Sequence, residues 1–173
     1  MPTIARPDPS EYAAFYRRYV DAVPDGDILA FLRHQGDEIA ERVRGLDEAR
    51  ALHRYAAGKW SLKELLGHVI DTERIFAYRA LRFARGDQTP LPGFEQDDYI
   101  EPGRFDVRPM VDLADEFGAV RAASIALFTG LPSEAIARSG VASGSPMTVR
   151  AIAWIIAGHA QHHVRIATEK YLT

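Results

Sequence analysis

Four long stretches of this chain repeat apolar residues at helical spacing, each closed off by glycine or proline, and strand-like alternation is hard to find. That pattern points to helices packed on helices. The first stretch runs from Asp27 to about Leu46 and places Ile28, Leu32, Ile39, Val43 and Leu46 on one side, after the breaker Pro24-Asp25-Gly26. The second opens with Ser61-Leu62-Lys63-Glu64, a capping box in which the serine hydroxyl and the glutamate carboxylate can satisfy free amides reciprocally. It is expected to run to about Arg85, with Gly86 as its stop. The third, Val111 to Phe128, uses Leu113, Phe117, Val120, Ser124 and Leu127 and ends at Gly130-Leu131-Pro132. The fourth runs from Thr148, a suitable N-cap residue, to Tyr171. A shorter helix is expected over Ser10 to Val20.

The length of 173 residues, 47% of them hydrophobic, suits a single domain over 1–173, in which 1–24 form an N-terminal extension carrying the short helix. Between the second and third helices, Gly86 to Met110 holds Pro90, Pro92, Gly93, Pro102, Gly103 and Pro109. Loops of this length are uncommon in small domains. Phe94, Tyr99 and Phe105 could anchor it as a wall over one end of the bundle; the alternative is a simple crossover between non-adjacent helices.

Several function classes are disfavoured. The chain has no cysteine, which removes a cysteine nucleophile, thiolate metal ligands and disulfides, and fits a reducing compartment. A net charge of −3 is the wrong sign for a nucleic-acid binder. Met1 to Ser10, with three prolines, does not read as a signal peptide, and no apolar run is long enough to span a bilayer, so a soluble cytoplasmic protein is expected.

Three of the six histidines fall in Gly158-His159-Ala160-Gln161-His162-His163. Residues four apart on a helix differ by about 40° in direction, so His159 and His163 project from one face on successive turns, a bidentate spacing for metal. They continue a stripe with Ile152, Ile156 and Ile166, whereas His162 turns toward Gly158, Arg165 and Glu169. Buried imidazoles need partners, since an unpaired polar group costs roughly 1–3 kcal/mol. A shared metal ion would serve both; hydrogen-bonded packing histidines are the competing reading. Zinc commonly takes three protein ligands at a catalytic site. Candidates for the third are His34, His53 and His68, and His68 is favoured because it borders the stripe Leu62, Leu65, Val69 and Phe76, with Gly67 beside it to admit a neighbouring helix. Ala160 follows His159, so the HExxH pattern of zinc proteases is absent.

Glu73 falls near the middle of the second helix's apolar face, where a carboxylate requires a partner. It could orient a ligand histidine, act as a general base, or pair with a buried arginine. It is the candidate catalytic residue. Asp71 projects away from the centre of that face and reads as a surface or inter-helix charge.

The run Gly58-Lys59-Trp60-Ser61-Leu62-Lys63-Glu64-Leu65-Leu66-Gly67-His68-Val69-Ile70-Asp71-Thr72-Glu73-Arg74, the helix end Phe83-Ala84-Arg85-Gly86-Asp87 with Pro90-Leu91-Pro92-Gly93-Phe94, and the Gly158 to His163 run resemble the DinB/YfiT-like family of metal-binding four-helix bundles, specifically its DinB-2 branch. The resemblance spans nearly the entire chain. It implies an all-α, up-down-down-up four-helix bundle with a long crossover between helices 2 and 3, and it maps the family's ligand histidines onto His68, His159 and His163. It also implies a homodimer, as in many members. Characterised relatives include thiol S-transferases and a maleylpyruvate isomerase, so the resemblance implies one divalent metal ion, zinc first with nickel or iron as alternatives, a low-molecular-weight thiol cosubstrate and a small-molecule substrate.

Three functions follow as expectations: a metal-dependent S-transferase joining such a thiol to an electrophile, a metal-dependent hydrolase assisted by Glu73 or Asp71, and a non-enzymatic metal-binding or structural bundle. Trp60 and the segment from Phe94 to Phe105 could shape a pocket in the first case, although Trp60 fits equally as a core anchor.

Overall fold

The computed structural model describes residues 4–172. Its frame is four long helices, α1 (Ile28–Arg44), α2 (Leu62–Ala84), α3 (Met110–Thr129) and α4 (Val149–Lys170). Three of them start where a side chain takes up free amides. The Asp27 carboxylate accepts from the amides of Leu29 and Ala30. Ser61 accepts from the Glu64 amide at 3.0 Å while Glu64 accepts from the Ser61 amide at 2.8 Å, and Thr148 accepts from the Ala151 amide at 3.1 Å. Each such cap stabilises its helix by about 1 kcal/mol. α2 ends at Ala84, and Gly86 beyond it takes the positive φ of +79° that an L side chain resists.

Cross-helix contacts fix the directions. Gln35 reaches Ala157 and Gln161 while Arg42 reaches Thr168, so α1 and α4 run parallel. His68 lies against His159 while the Tyr171 hydroxyl meets the Trp60 carbonyl, so α2 runs antiparallel to α4. Arg121 bonds the Leu32 carbonyl while Asp115 pairs with Arg44, so α3 runs antiparallel to α1. The bundle is therefore up-down-down-up.

Two apolar clusters fill the bundle, one around Phe76, Phe83, Phe128 and Trp154, the other around Leu65, Ile70, Leu113 and Phe117. Between them lies a buried polar layer of Gln35, Glu73, Arg121 and His159, one residue from each helix. Burial of polar groups at this depth is tolerated only where they bond one another.

The crossover between α2 and α3 is more ordered than its composition suggests. It contains a short helix, Asp97–Gly103, and a 3-10 turn, Phe105–Val107. Phe105 is buried, whereas Tyr99 is exposed and packs edge-on against Phe94. The space beside Gly67 is taken by the Phe105 ring, where a Cβ would come within 2.4 Å, and not by a neighbouring helix. A two-stranded hairpin not expected from the sequence, β1 (Ser139–Ala142) and β2 (Ser145–Thr148), pairs antiparallel ahead of α4.

The expected Ser10 to Val20 helix is broken into 3-10 turns at Pro9–Glu11 and Ala14–Tyr16 and one helical turn at Arg17–Val20. This extension lies along α4. Trp154 donates to the Ile4 carbonyl at 3.2 Å, Glu11 pairs with Arg150, and a Cβ at Gly158 would sit 1.9 Å from the Tyr19 carbonyl oxygen. Ala151 to Ala160 are consequently buried on every side, where the sequence alone suggests a single apolar stripe. No helix among the described residues is long and apolar enough to cross a membrane.

Candidate metal centre

His68 from α2 and His159 and His163 from α4 bring their side chains to one point. Nε2 of His159 lies 3.0 Å from Nε2 of His68 and 3.1 Å from Nε2 of His163. One nitrogen from each of the three falls within 4.8 Å of the others. His68 and His159 are buried and His163 is half-buried: the Trp60 ring packs on His68 with centroids 4.9 Å apart, and the Tyr19 ring packs edge-on against His159 at 5.4 Å.

These contacts are difficult to satisfy with protons alone. The Nε2 of a neutral imidazole has either one hydrogen or one in-plane lone pair. His159 can therefore form one good hydrogen bond at that atom, yet it faces two ring nitrogens. A charged imidazolium is disfavoured, because burial pushes the pKa down to about 4 at His68 and to about 2 at His163. Burial lowers that of His159 too, with the neighbouring His163 and His68 adding to the effect. A cation shared by three lone pairs satisfies all of them, and three neutral imidazoles are a donor set that suits zinc, nickel or iron. The residues present fit such an ion.

The polar layer holds the α4 turn that carries this pair. Arg121 donates from Nε to both Glu73 oxygens, at 2.9 and 3.1 Å, and from Nη2 at 2.9 Å. Its Nη1 reaches Gln35 Oε1 and the Leu32 carbonyl, each at 3.0 Å. The Gln35 amide in turn donates to the Ala157 carbonyl and to Gln161 Oε1, both at 3.0 Å. Glu73 therefore takes the buried-arginine partnership among the roles open to it, and its carboxylate bonds none of the histidines. Thr72, one turn from His68, lies 3.5 Å from its Nδ1.

The other candidates lie elsewhere. His34 is exposed, 3.8 Å from Glu38, and His53 packs against Tyr171. Asp71 faces Arg74 at 3.7 Å, with burial pushing its carboxyl above the ordinary range. Arg121, Gln35, Gln161 and Tyr19 were not singled out by sequence reasoning. For Arg121 a signal existed: it lies one turn from Phe117 and Ser124 on the core side of α3, a charge out of place opposite another, Glu73.

The sequence profile of the DinB superfamily matches residues 31–167. The chain belongs to the DinB superfamily. Its fold resembles that of YfiT from Bacillus subtilis, described as "a probable metal-dependent hydrolase with an unusual four-helix bundle topology", with a TM-score of 0.70 and 14% identity over 94% of this chain and 89% of that one. It also resembles the mycothiol-dependent maleylpyruvate isomerase, with a TM-score of 0.66 and 15% identity over 88% of this chain and 62% of that one. At such identities the likeness is one of fold. No curated protein matches the sequence. The profile includes all three histidines of the cluster, whereas Tyr19, which packs against His159, lies before its start.

Proposed function

We propose that this DinB-superfamily protein is a metal-dependent S-transferase, holding one divalent ion, zinc by preference, on His68, His159 and His163. The observation that carries the reading is the double contact at His159 Nε2, facing two imidazole nitrogens at 3.0 and 3.1 Å. Held there, the ion would act as a Lewis acid, lowering the pKa of a thiol or a water brought to it.

The chain's own residues favour a thiol over water. The histidine cluster contains no carboxylate. Both oxygens of Glu73 are held by Arg121, and Asp71 lies beside Arg74. A thiol starts near pKa 8.5 against about 15.7 for water, so it loses its proton at neutral pH with far less help from a protein base. With no cysteine in the chain, the thiol would be supplied by another molecule, and we take it to be a small one. We assign Glu73 to holding Arg121 and the α4 turn. Trp60 packs on His68 and Tyr19 on His159, and the low polarity of these rings strengthens the electrostatic effect of a charge held there.

The YfiT description favours a second reading, hydrolysis at the same three histidines. One assay separates the two. Zinc-loaded protein is given cysteine as thiol and 1-chloro-2,4-dinitrobenzene as electrophile, and separately p-nitrophenyl acetate without thiol. Zinc-dependent thioether formation that disappears in His159→Ala supports transfer. Zinc-dependent ester cleavage without thiol supports hydrolysis, and neither activity over a broad panel of electrophiles and esters leaves a non-enzymatic bundle.

A further inference from the structure

A cavity of about 190 Å³ opens between α1 and α4 over α2, exceeding the roughly 150 Å³ apolar void that takes up benzene in a protein core. Its floor is aliphatic, including Ile39, Val43, Leu65, Val69 and Val164, and His163 forms part of its wall. The cavity therefore adjoins the histidine cluster while offering apolar surface that no described residue covers. Two charged side chains stand on the rim, Glu38 and Arg42. Glu38 lies near His34, at 3.8 Å, on the turn before it. Arg42 donates to the neutral Thr168 hydroxyl at 3.2 Å and has no carboxylate partner among the described residues. A guanidinium with donors to spare, beside an apolar cavity, is suited to a carboxylate, which it can bind by two parallel hydrogen bonds.

We propose that this cleft binds a small organic carboxylate, with its hydrocarbon body on the aliphatic floor, its carboxylate on Arg42 and its reacting end at His163. The inference rests on the metal-dependent reading of His68, His159 and His163 and names the class of substrate that site would take. Register sets the length. Arg42 meets α4 at Thr168, five residues beyond His163, a rise of about 7.5 Å or the span of about six extended carbons. An aryl or medium-chain carboxylate with its electrophilic carbon at the end remote from the carboxylate meets that requirement.

The test titrates hexanoate, hexan-1-ol and hexylammonium into metal-free and zinc-loaded protein and follows the methyl resonances of Val43, Leu65 and Val164. Hexanoate is expected to bind about threefold more tightly than hexan-1-ol in the metal-free form, the modest gain of an ion pair on the exposed Arg42 guanidinium. Arg42→Gln is expected to remove that preference and leave hexan-1-ol binding unchanged. Equal binding of acid and alcohol, a preference for hexylammonium, no binding at all, or indifference to Arg42→Gln overturns the proposal. Because the metal-free form reports the cleft alone, a failure of zinc binding or of catalysis is read separately.

Discussion

Arg121 on α3 and Glu73 on α2 form a buried ion pair in which the guanidinium holds both carboxylate oxygens, at 2.9 to 3.1 Å. The two side chains are 3% and 2% exposed. At that depth the pair's own net contribution is modest, but a charge left alone is costly. Glu73→Leu and Arg121→Met are each expected to lower unfolding stability by about 3–5 kcal/mol, and the two replacements together to recover most of that loss. Denaturant unfolding of the four proteins checks this; additive losses in the double variant would contradict it.

Gln35 transmits that pair to the α4 turn. With its amide removed, Ala157 and Gln161 lose the donor that ties them to α1. Gln35→Ala is expected to weaken zinc binding, because the α4 turn that carries His159 loses its tie to α1, with helical content unchanged, and zinc affinity equal to wild type would contradict this. Competition against a chromophoric chelator, alongside far-ultraviolet circular dichroism, measures both quantities.

Gly158 is the point where the N-terminal extension touches α4. A Cβ there would lie 1.9 Å from the Tyr19 carbonyl oxygen and 2.8 Å from its Cα, backbone atoms that cannot swing aside. Gly158→Ala is expected to cost about 3 kcal/mol and to lift the extension, despite alanine's better helix propensity. A lower melting temperature with faster proteolysis within 4–24 is the expected result, and an unchanged or higher melting temperature would contradict it.

Tyr171 supplies a pH dependence at the alkaline end. Its hydroxyl donates to the Trp60 carbonyl at 2.8 Å, and burial pushes its pKa up to about 12, with nearby Tyr55 and Glu64 adding to the shift. In the unfolded chain the group ionises near 10. Its contribution is therefore complete below about pH 10 and is lost as the pH rises through about 12, because the unfolded chain gives up the proton first. Tyr171→Phe is expected to lose about 1 kcal/mol at neutral pH and to flatten the fall in stability between pH 10 and 12, as followed by chemical denaturation.

The legible features of the sequence were those whose cause is local. Ser61, Glu64 and Thr148 announce helix starts because a cap needs only the next three residues. The helical wheel places Glu73 in the core, where it is buried and requires a partner. The identity of that partner, 48 residues away, depends on how α2 and α3 lie together, which periodicity does not encode. The hairpin leaves little trace in the sequence because its strands are four residues long and include Gly140 and Pro146. Its turn residues did leave a sign in the Ser143-Gly144 pair, both at positive φ. The spacing of His159 and His163 was readable from one helix, whereas the choice of His68 drew on the apolar stripe around it and on family resemblance. The cover supplied by Tyr19 was not readable, since it arises from contact between the two ends of the chain.

The most direct measurement is zinc content by elemental analysis of tag-free protein, purified and then reconstituted, for wild type and for the His159→Ala, His163→Ala double variant. About one zinc per wild-type chain and almost none in the variant is the result expected from the double contact at His159. Wild-type protein that holds no metal after reconstitution, or a variant that holds as much as wild type, would contradict a metal centre at His68, His159 and His163.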